Sequence, residues 1–307
     1  MTSPRITVLL SLYGEAPYLS DFLDSLDRQD HRDLRLLVRI DEPGGEARIP
    51  LIRACPFASF AADTGVHKGC AASYGSLLEE ASGTSDYILT ADQDDVWDPD
   101  KIATELDAIR EAERKYGRET PILVHTDLRV TDRDLRVRAP SFMRYQSLTP
   151  RRTGLKDLMI QNNVTGCTVM INRALAERVR IPPEAICHDW YLALTAAAFG
   201  KIVYLDRATV SYRQHNSNVY GAVPRHALFR KIFSPGSLRE SLRATQKQAG
   251  AFLLRHGGEL GTDQKAVLAA WSGCLDEPKK WKRLRTVFTH RLRKNDLIRT
   301  AGMWWAV

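Results

Sequence analysis

Cysteine-pair motifs, long apolar runs, internal repeats and low-complexity tracts are all missing from this sequence of 307 residues. Its five cysteines are odd in number and form no C-x-x-C pair, which predicts free thiols in a reducing compartment. No apolar run approaches the ~18 residues that a membrane-spanning helix needs. The apolar stretch 6–12 is too short for a secretory signal. We therefore expect a cytoplasmic protein without a membrane span.

Acidic residues are scarce at only one end of the chain. The net charge is +7, but residues 222–307 carry 17 Lys and Arg against 6 Asp and Glu, whereas residues 1–221 have a net charge of −4. No helix-turn-helix, zinc-finger or RNA-binding signature accompanies this basic charge, so we expect no nucleic-acid partner. The sequence predicts an acidic domain over 1–221 and a basic, mainly helical region over 222–307.

Short apolar runs alternate with amphipathic segments over the first 120 residues. The runs ITVLLSL, LRLLVRI and DYILTA predict strands, and the segments after them predict helices, the longest started by Asp98-Pro99. This alternation predicts a parallel, doubly wound α/β sheet, whose ligands bind beyond the carboxyl ends of the strands. Residues 121–221 are less regular, with strand-like runs PILVHTDLRV, NVTGCTVMI and KIVYLDRATVSYRQH, and a helix ending at Gly200.

Four carboxylates, those of Asp92, Asp94, Asp95 and Asp98, follow the DYILTA strand within seven positions. One interpretation is capping of the next helix. A second is the Asp-x-Asp-x-Val pattern of haloacid-dehalogenase phosphatases, with Asp92 as nucleophile, although that motif belongs on the first strand of its domain. The third is a divalent cation that binds a diphosphate, since Mg²⁺ and Mn²⁺ prefer oxygen ligands.

Five blocks in the same order resemble glycosyltransferase family 2, in its rhamnosyltransferase-like branch of bacterial surface-polysaccharide enzymes. They are SLYGEAPYLSDFLDSL, ADQDDVWDPDKI, GCTVMINRAL, HDWYLALTAAAFG and YRQHNSNVYG, and the resemblance covers residues 5–221. It implies the GT-A fold, a Rossmann-like nucleotide-diphospho-sugar transferase fold, here with a helical basic C-terminal extension. It also implies an inverting, metal-dependent glycosyltransferase that takes a sugar from dTDP-rhamnose or a UDP-hexose to a saccharide or lipid-linked acceptor.

The resemblance implies roles for individual residues. Asp189 would be the general base that takes the proton of the acceptor hydroxyl. The metal, Mg²⁺ or Mn²⁺, would be held by Asp94, Asp92 and His215. The residues implied to contact the nucleotide or its phosphates are Ser11, Tyr13, Glu15, Asp41, Lys68, Asp92 and Arg213. Those implied to line the cleft for the donor sugar and acceptor are Asn163, Thr165, Gly166 and Trp190.

Several of these residues also allow a structural interpretation. Asp41 stands in Asp-Glu-Pro-Gly-Gly rather than the family's Asp-Asp-Gly-Ser stretch, so it could simply end a strand. Asp189 could serve as a helix N-cap. Trp190 could pack in the core, as we expect of Trp97. A non-catalytic sugar-nucleotide-binding scaffold at the membrane is a further alternative.

The basic C-terminal region contains an apolar stripe at helical spacing. Trp281, Leu284, Val287, Phe288 and Leu292 form this stripe, with Lys and Arg between them. Such a helix suits the headgroup level of an anionic membrane, where polyprenyl-linked acceptors would be found. The sequence therefore predicts a protein that is peripheral on the inner face of the cell membrane. A helical bundle packed on the domain, or an oligomer contact, is the alternative.

Overall fold

A nine-stranded mixed β-sheet forms the centre of the computed structural model, which describes residues 4–61, 64–215 and 235–307. The strands are β1 (Ile6–Leu12), β2 (Leu34–Ile40), β3 (Ala58–Phe60), β4 (Tyr87–Ala91), β5 (Val96–Trp97), β6 (Ile122–Thr131), β7 (Val137–Ala139), β8 (Val169–Asn172) and β9 (Lys201–Arg213). Across the sheet their order is β3-β2-β1-β4-β8-β6-β9-β5, and β7 pairs with β6.

Twelve α-helices lie within the described ranges. They are α1 (Leu19–Asp27), α2 (Ile49–Arg53), α3 (Cys70–Ser82), α4 (Lys101–Tyr116), α5 (Phe142–Tyr145), α6 (Leu155–Leu158), α7 (Arg173–Arg178), α8 (His188–Phe199), α9 (Pro235–His256), α10 (Thr262–Ser272), α11 (Lys280–Thr289) and α12 (Leu297–Ala306). The helices and strands predicted over the first 120 residues are confirmed. The predicted end of α8 at Gly200 is also confirmed. Gly200 lies so close to the carbonyl of Pro121 that a Cβ would not fit.

The sequence predicted a parallel sheet, but the observed sheet is only partly parallel. Strands β1 to β4 are parallel, but β8 runs antiparallel between β4 and β6. The predicted strand NVTGCTVMI is only half a strand, because Gly166–Thr168 form a 3₁₀ turn above the carboxyl end of β4, where Thr90 Oγ1 donates to the Gly166 carbonyl at 2.6 Å. The chain therefore enters β8 from the side at which β4 ends.

Alternating side chains of the central strands supply two apolar cores, one on each face of the sheet. In β1, Leu9 points into the core shared with α3, α7 and α8, whereas Val8 and Leu10 point into the core shared with α1 and α4. Trp97 belongs to the second core and packs edge-on against Phe22, as expected of a structural residue. Both faces of the sheet are thus covered by helices, as in other α/β folds.

The C-terminal helices pack on the body of the protein. Buried residues of α9, α10 and α12, among them Phe252, Trp271 and Met303, belong to the same apolar core as α3 and α8. The boundary that the sequence predicts between 221 and 222 lies outside the described residues. Within the described residues, no helix is both long and apolar enough to cross a membrane.

Asp98 does not cap α4, contrary to the expectation from the Asp98-Pro99 pair. The helix begins at Lys101, and the residue before it, Asp100, makes no side-chain cap. The carboxylate of Asp98 instead binds Arg129 of β6, while its carbonyl accepts from Gln29 Nε2 at 2.8 Å. Asp98 is therefore a structural residue, and only three of the four clustered aspartates remain for a functional site.

His125 of β6 gives a pH-dependent contribution to stability. It is fully buried, neither ring nitrogen has a hydrogen-bond partner among the described residues, and burial lowers its pKa from 6.5 to about 3. Below pH 6.5 His125 is protonated in the unfolded chain but stays neutral in the native protein. The free energy of unfolding therefore falls as the pH falls. At pH 5 this loss amounts to about 2 kcal/mol.

We expect His125→Phe, which keeps the ring contact with Tyr204, to unfold at higher urea than the wild type, and by a wider margin at pH 5 than at pH 8. Urea titrations at the two pH values measure the margin. An equal margin at both would contradict the assignment of a neutral, desolvated histidine.

Candidate active site

The loop after β4 brings three carboxylates into one partly buried cluster. Asp95 is buried, and Asp92 and Asp94 are half-buried. Burial, followed by the charges of Asp94 and Asp189, raises the pKa of Asp92 to about 7. Burial also raises the pKa of Asp94, and it raises the pKa of Asp95 well above its usual range. The protein thus holds like charges together at a cost, as it would for a cation that belongs between them.

Arg213, at the end of β9, holds this loop from inside the protein. Its backbone N–H donates to Asp95 Oδ1 at 3.2 Å and its Nε donates to the Asp94 carbonyl at 3.0 Å. The guanidinium also binds Asp21 at 2.6 Å and lies 4.1 Å above the ring of Tyr18. Arg213 was predicted to face a phosphate, but its side chain is buried and these contacts make it a support for the acidic loop.

His215 lies beside Asp94, as the predicted metal site requires. Its Nε2 is 3.2 Å from Asp94 Oδ2. The other oxygen of Asp94, together with Asp95 Oδ2, is buried without a hydrogen-bond partner among the described residues. Such oxygens are costly unless a ligand satisfies them, and carboxylate oxygens with an imidazole are the donors that Mn²⁺ accepts. The residues present therefore fit a divalent cation.

A second group of donor atoms, which the sequence did not suggest, is formed by this loop and the 3₁₀ turn before β8. The ligand atoms of Asp92, Asp95 and Cys167 are all within 4.8 Å of one another. The sequence prediction grouped Asp92 with Asp94 and His215, whereas the structure also places Asp92 in a group with Asp95 and Cys167. Cys167 follows Gly166 in the 3₁₀ turn, so only the antiparallel entry of the chain into β8 brings it here.

The loop after β1 is joined to the acidic loop by one side chain. Gln93 Oε1 accepts from the backbone N–H of Tyr13 at 3.1 Å, and Gln93 Nε2 donates to the Tyr13 carbonyl at 2.9 Å. The Tyr13 ring is exposed and lies 5.0 Å from the ring of His67. Glu15 is exposed, and Ser11 Oγ is 2.5 Å from Ser73 Oγ. Gln93 was missed because a single glutamine between aspartates carries no motif.

Asp41 holds the loop before α3. It is buried, and its two oxygens accept from the backbone N–H groups of Lys68 and Gly69 at 2.8 and 2.9 Å, while Arg39 also binds it. Lys68 extends its side chain to Ser76 Oγ at 2.9 Å. Asp41 therefore shapes the end of β2, and its contact with a nucleotide base stays a prediction.

Asp189 faces this acidic loop from the other half of the chain. It is the second residue of α8 and half-buried, and its Oδ1 accepts from the Trp190 N–H at 2.6 Å. The N-cap of the helix is Cys187, so the capping role considered for Asp189 is not the one observed. Cβ of Asp189 is 3.7 Å from the position that a Cβ would take at Gly166, and the ligand atom of the next residue, Cys167, lies within 4.8 Å of those of Asp92 and Asp95. Asp189 and the acidic loop therefore border the same 3₁₀ turn.

The start of α8 is fixed by a tight contact with Gly166. A Cβ at Gly166 would lie 2.8 Å from Nε2 of His188 and 3.7 Å from Cβ of Asp189. His188 is buried and stacks on Tyr74, with 3.8 Å between ring centroids, and the Tyr74 hydroxyl donates to the carbonyl of Ala91. A chain of contacts thus connects the residue before Asp92 with the residue before Asp189.

Gly166→Ala is expected to push His188 and the start of α8 away from the 3₁₀ turn. Overpacking of this kind costs about 1–3 kcal/mol in the free energy of unfolding, and it moves Asp189 relative to Asp92. The control is Gly83→Ala at the end of α3, where a Cβ meets nothing within 4 Å. Urea unfolding of both variants measures the effect, and equal stabilities would show that the contact at Gly166 is not restrictive.

The other residues predicted to line the cleft differ in their surroundings. Asn163 is buried and donates from Nδ2 to the carbonyls of Thr149 and Arg152 at 2.9 and 3.1 Å. Thr165 is half-buried, and its carbonyl accepts from Thr168 Oγ1 at 2.7 Å. Trp190 packs against the core and its indole N–H donates to the carbonyl of Leu158, which favours the packing interpretation.

Comparison with known proteins first identifies the class of fold. The chain superposes on S. aureus TarS 1–349 in complex with UDP-GlcNAc with a TM-score of 0.57, at 15% sequence identity, covering 92% of this chain and 79% of TarS. A mannosyltransferase from Pyrobaculum calidifontis, PcManGT in complex with GDP-Man and Mn²⁺, gives a TM-score of 0.52 at 17% identity, covering 94% of this chain and 76% of that one. The predicted GT-A fold is confirmed.

The sequence comparison gives one relative. TuaG of Bacillus subtilis (strain 168), provisionally assigned as a teichuronic acid biosynthesis glycosyltransferase, is 22% identical over 225 residues, which are 70% of this chain and 81% of TuaG. No family profile matches the sequence. The resemblance to glycosyltransferases of surface-polysaccharide synthesis is thus confirmed, and the GT-A fold argues against the haloacid-dehalogenase phosphatase.

Proposed function

We propose that this protein is an inverting, metal-dependent glycosyltransferase that moves a sugar from a nucleotide-diphosphate donor to an acceptor hydroxyl. The observation that carries the proposal is that Asp189 and the acidic loop border the same 3₁₀ turn, at Gly166 and Cys167. The acidic loop has clustered carboxylates with unsatisfied oxygens, and the start of α8 has a single carboxylate. Transfer of a sugar from a diphosphate needs one group of each kind.

The acidic loop would hold the donor through its diphosphate. Asp94 and His215, with Asp92 and Asp95 beside them, are the residues that would bind Mg²⁺ or Mn²⁺. When bound, the cation neutralises the negative charge that grows on the departing diphosphate. Tyr13 and Lys68 are exposed on the neighbouring loops and would contact the nucleotide. Asp41 and Arg213 would act by holding these loops in place.

Asp189 would act on the acceptor. A sugar hydroxyl is a weak nucleophile until a carboxylate takes its proton as the new bond forms, and such general-base help contributes roughly 10²–10⁴-fold. The carboxylate stands in the first turn of α8, next to the acidic loop. Attack from the face opposite the departing diphosphate inverts the anomeric centre.

The donor proposed is dTDP-rhamnose or a UDP-hexose, and the acceptor a saccharide or a lipid-linked saccharide of the cell envelope. UDP-GlcNAc in TarS and GDP-Man in PcManGT support a nucleotide-sugar donor, and the Mn²⁺ of PcManGT supports the cation. The provisional assignment of TuaG to teichuronic acid biosynthesis supports an acceptor in surface polysaccharide.

Isothermal titration of the full chain with dTDP, UDP and GDP sugars, each with and without Mn²⁺, tests the proposal. We expect one nucleotide series to bind and its affinity to depend on the cation. Slow hydrolysis of that donor should release the nucleoside diphosphate. Release of phosphate from simple phosphomonoesters, or an absence of nucleotide binding in all series, would contradict it.

A further inference from the structure

The last two helices expose one continuous apolar face, which we call the aromatic face. Trp281 and Phe288 are both more than half exposed and stand seven residues apart on α11, and thus on one side of it. Leu297 and Trp304 stand in the same relation on α12. The rings of Phe288 and Trp304 lie 5.0 Å apart, so the two stripes meet. Exposed contiguous apolar residues of this size mark an interaction surface.

This face is not the stripe that the sequence predicted. Val287 and Leu292 are buried in the core and Leu284 is half-buried, so only Trp281 and Phe288 of the predicted stripe are exposed. The reason is that α11 packs its other side onto the body of the protein. Two of the five residues of the predicted stripe therefore belong to the core.

A basic groove of about 1360 Å³ adjoins the aromatic face. It runs between residues 149–157 and the segment from α11 to α12, and Phe288, Leu297 and Trp304 line it as well. Six Lys or Arg residues line this groove against two carboxylates, those of Asp157 and Asp296. Both carboxylates are already paired, with Arg152 and Arg299 respectively.

Four of the groove's cations are free to meet an external anion. They are Arg151, Lys156, Arg291 and Arg293. All four are exposed, and none forms an ion pair with any residue in the described parts of the chain. Aromatic side chains beside unpaired cations are the combination that binds at the headgroup level of a bilayer with anionic lipids.

The groove is also connected to the catalytic cleft through the backbone. Asn163 donates to the carbonyls of Thr149 and Arg152 on the groove wall, and Gln161 accepts from the Asn295 N–H at 2.9 Å on the opposite wall. Residues 161–165 then lead directly to Gly166, which contacts the start of α8. A surface bound at the groove would thus be held next to the acceptor side of the cleft.

We propose that the aromatic face and the basic groove together dock this protein onto an anionic lipid bilayer. The cations bind the phosphate headgroups, and the apolar side chains enter the interface. This inference goes beyond the proposed glycosyl transfer, because it assigns the surface that brings the enzyme to a lipid-anchored substrate.

Co-sedimentation of the full chain with vesicles tests the proposal. We expect binding to phosphatidylcholine vesicles that contain 30% phosphatidylglycerol, little binding to phosphatidylcholine alone, and weakening by salt. The variant with Arg151, Lys156 and Arg293 changed to Ala should bind roughly a hundredfold more weakly, at about fivefold per charge. Trp281→Ala with Phe288→Ala should also reduce binding.

Matched controls separate this surface from general basicity. Arg53, Arg114 and Arg118 are exposed and outside the groove, and changing them to Ala removes the same charge. Leu254→Ala, at an exposed position of α9, matches the apolar change. An equal loss of binding in these controls would overturn the proposal. So would a dimer in lipid-free sedimentation that the aromatic variant dissociates while vesicle binding is absent.

Donor hydrolysis in lipid-free solution should be unchanged in the groove and aromatic variants, because none of them changes a residue of the catalytic cleft. A failure of vesicle binding with intact hydrolysis would therefore overturn the docking surface alone. An absence of nucleotide binding to the wild-type protein would instead contradict the proposed function.

Discussion

Asp189→Asn is expected to lower the rate of sugar transfer by roughly 10²–10⁴-fold while the donor binds as it does to the wild type. Asparagine keeps the size of the side chain and an oxygen for the Trp190 N–H, but it cannot take a proton. Removing the charge also removes a repulsion on Asp92, so donor and cation affinity should not fall. Transfer rates from product analysis, beside donor titrations, separate the two effects.

Asp263→Asn is the matched control for this change. Asp263 is likewise the second residue of its helix, α10, but it is exposed. The substitution therefore removes the same interaction with a helix dipole, about 0.3–1 kcal/mol, without touching the cleft. Transfer should be normal in Asp263→Asn. Full activity of Asp189→Asn would show that Asp189 is not the general base. Loss of donor binding in this variant would show that the carboxylate has a structural role instead.

Asp94→Asn should weaken cation-dependent donor binding by roughly 100-fold, since even the outer partners of metal ligands change affinity by 10–100-fold. In the metal-free protein, by contrast, the same substitution should increase thermal stability. Because burial raises the pKa of Asp94, its charge is costly in the native state, and removing it should raise the melting temperature in the presence of a chelator. Thermal unfolding with chelator, with Mn²⁺, and with Mn²⁺ plus nucleotide measures both effects.

Two further variants make this result specific. Asp24→Asn removes an exposed charge from α1, and it should leave the response to Mn²⁺ unchanged. Asp95→Asn tests the second donor group, because it changes the cluster with Asp92 and Cys167 while leaving Asp94 and His215 intact. If Asp95→Asn abolishes the Mn²⁺ response and Asp94→Asn preserves it, the cation belongs to the donor group of Asp92, Asp95 and Cys167.

Much of the fold could be predicted from the sequence because its signals are local. An apolar run such as ITVLLSL has few alternatives to a buried strand, and the alternation of such runs with amphipathic segments fixes a layered α/β architecture. The direction of β8 could not be predicted in this way. It depends on where the chain stands when it enters the sheet, which a 3₁₀ turn at Gly166 decides.

The residues of the candidate site likewise differ in whether local sequence signals could indicate them. Asp92, Asp94 and Asp189 were accessible from spacing and resemblance, since carboxylates at a strand end and at a helix start have recognisable neighbours in sequence. Cys167 and Gln93 were not, because each acquires its position only from contacts across the fold. Arg213 shows the converse. Its charge suggested a phosphate partner, but burial and its bonds to the acidic loop give it a supporting position.

The paired hydrogen bonds between Gln93 and Tyr13 have a consequence for engineering. The two bonds join Gln93 to backbone atoms of Tyr13, so a loop grafted after β1 keeps them only if its backbone follows the same path. A graft that changes this path, made to alter the proposed nucleotide contacts, would also release the acidic loop. Base preference and cation affinity should therefore change together in such chimeras. They would separate only when the glutamine and its partner backbone are transplanted as one unit.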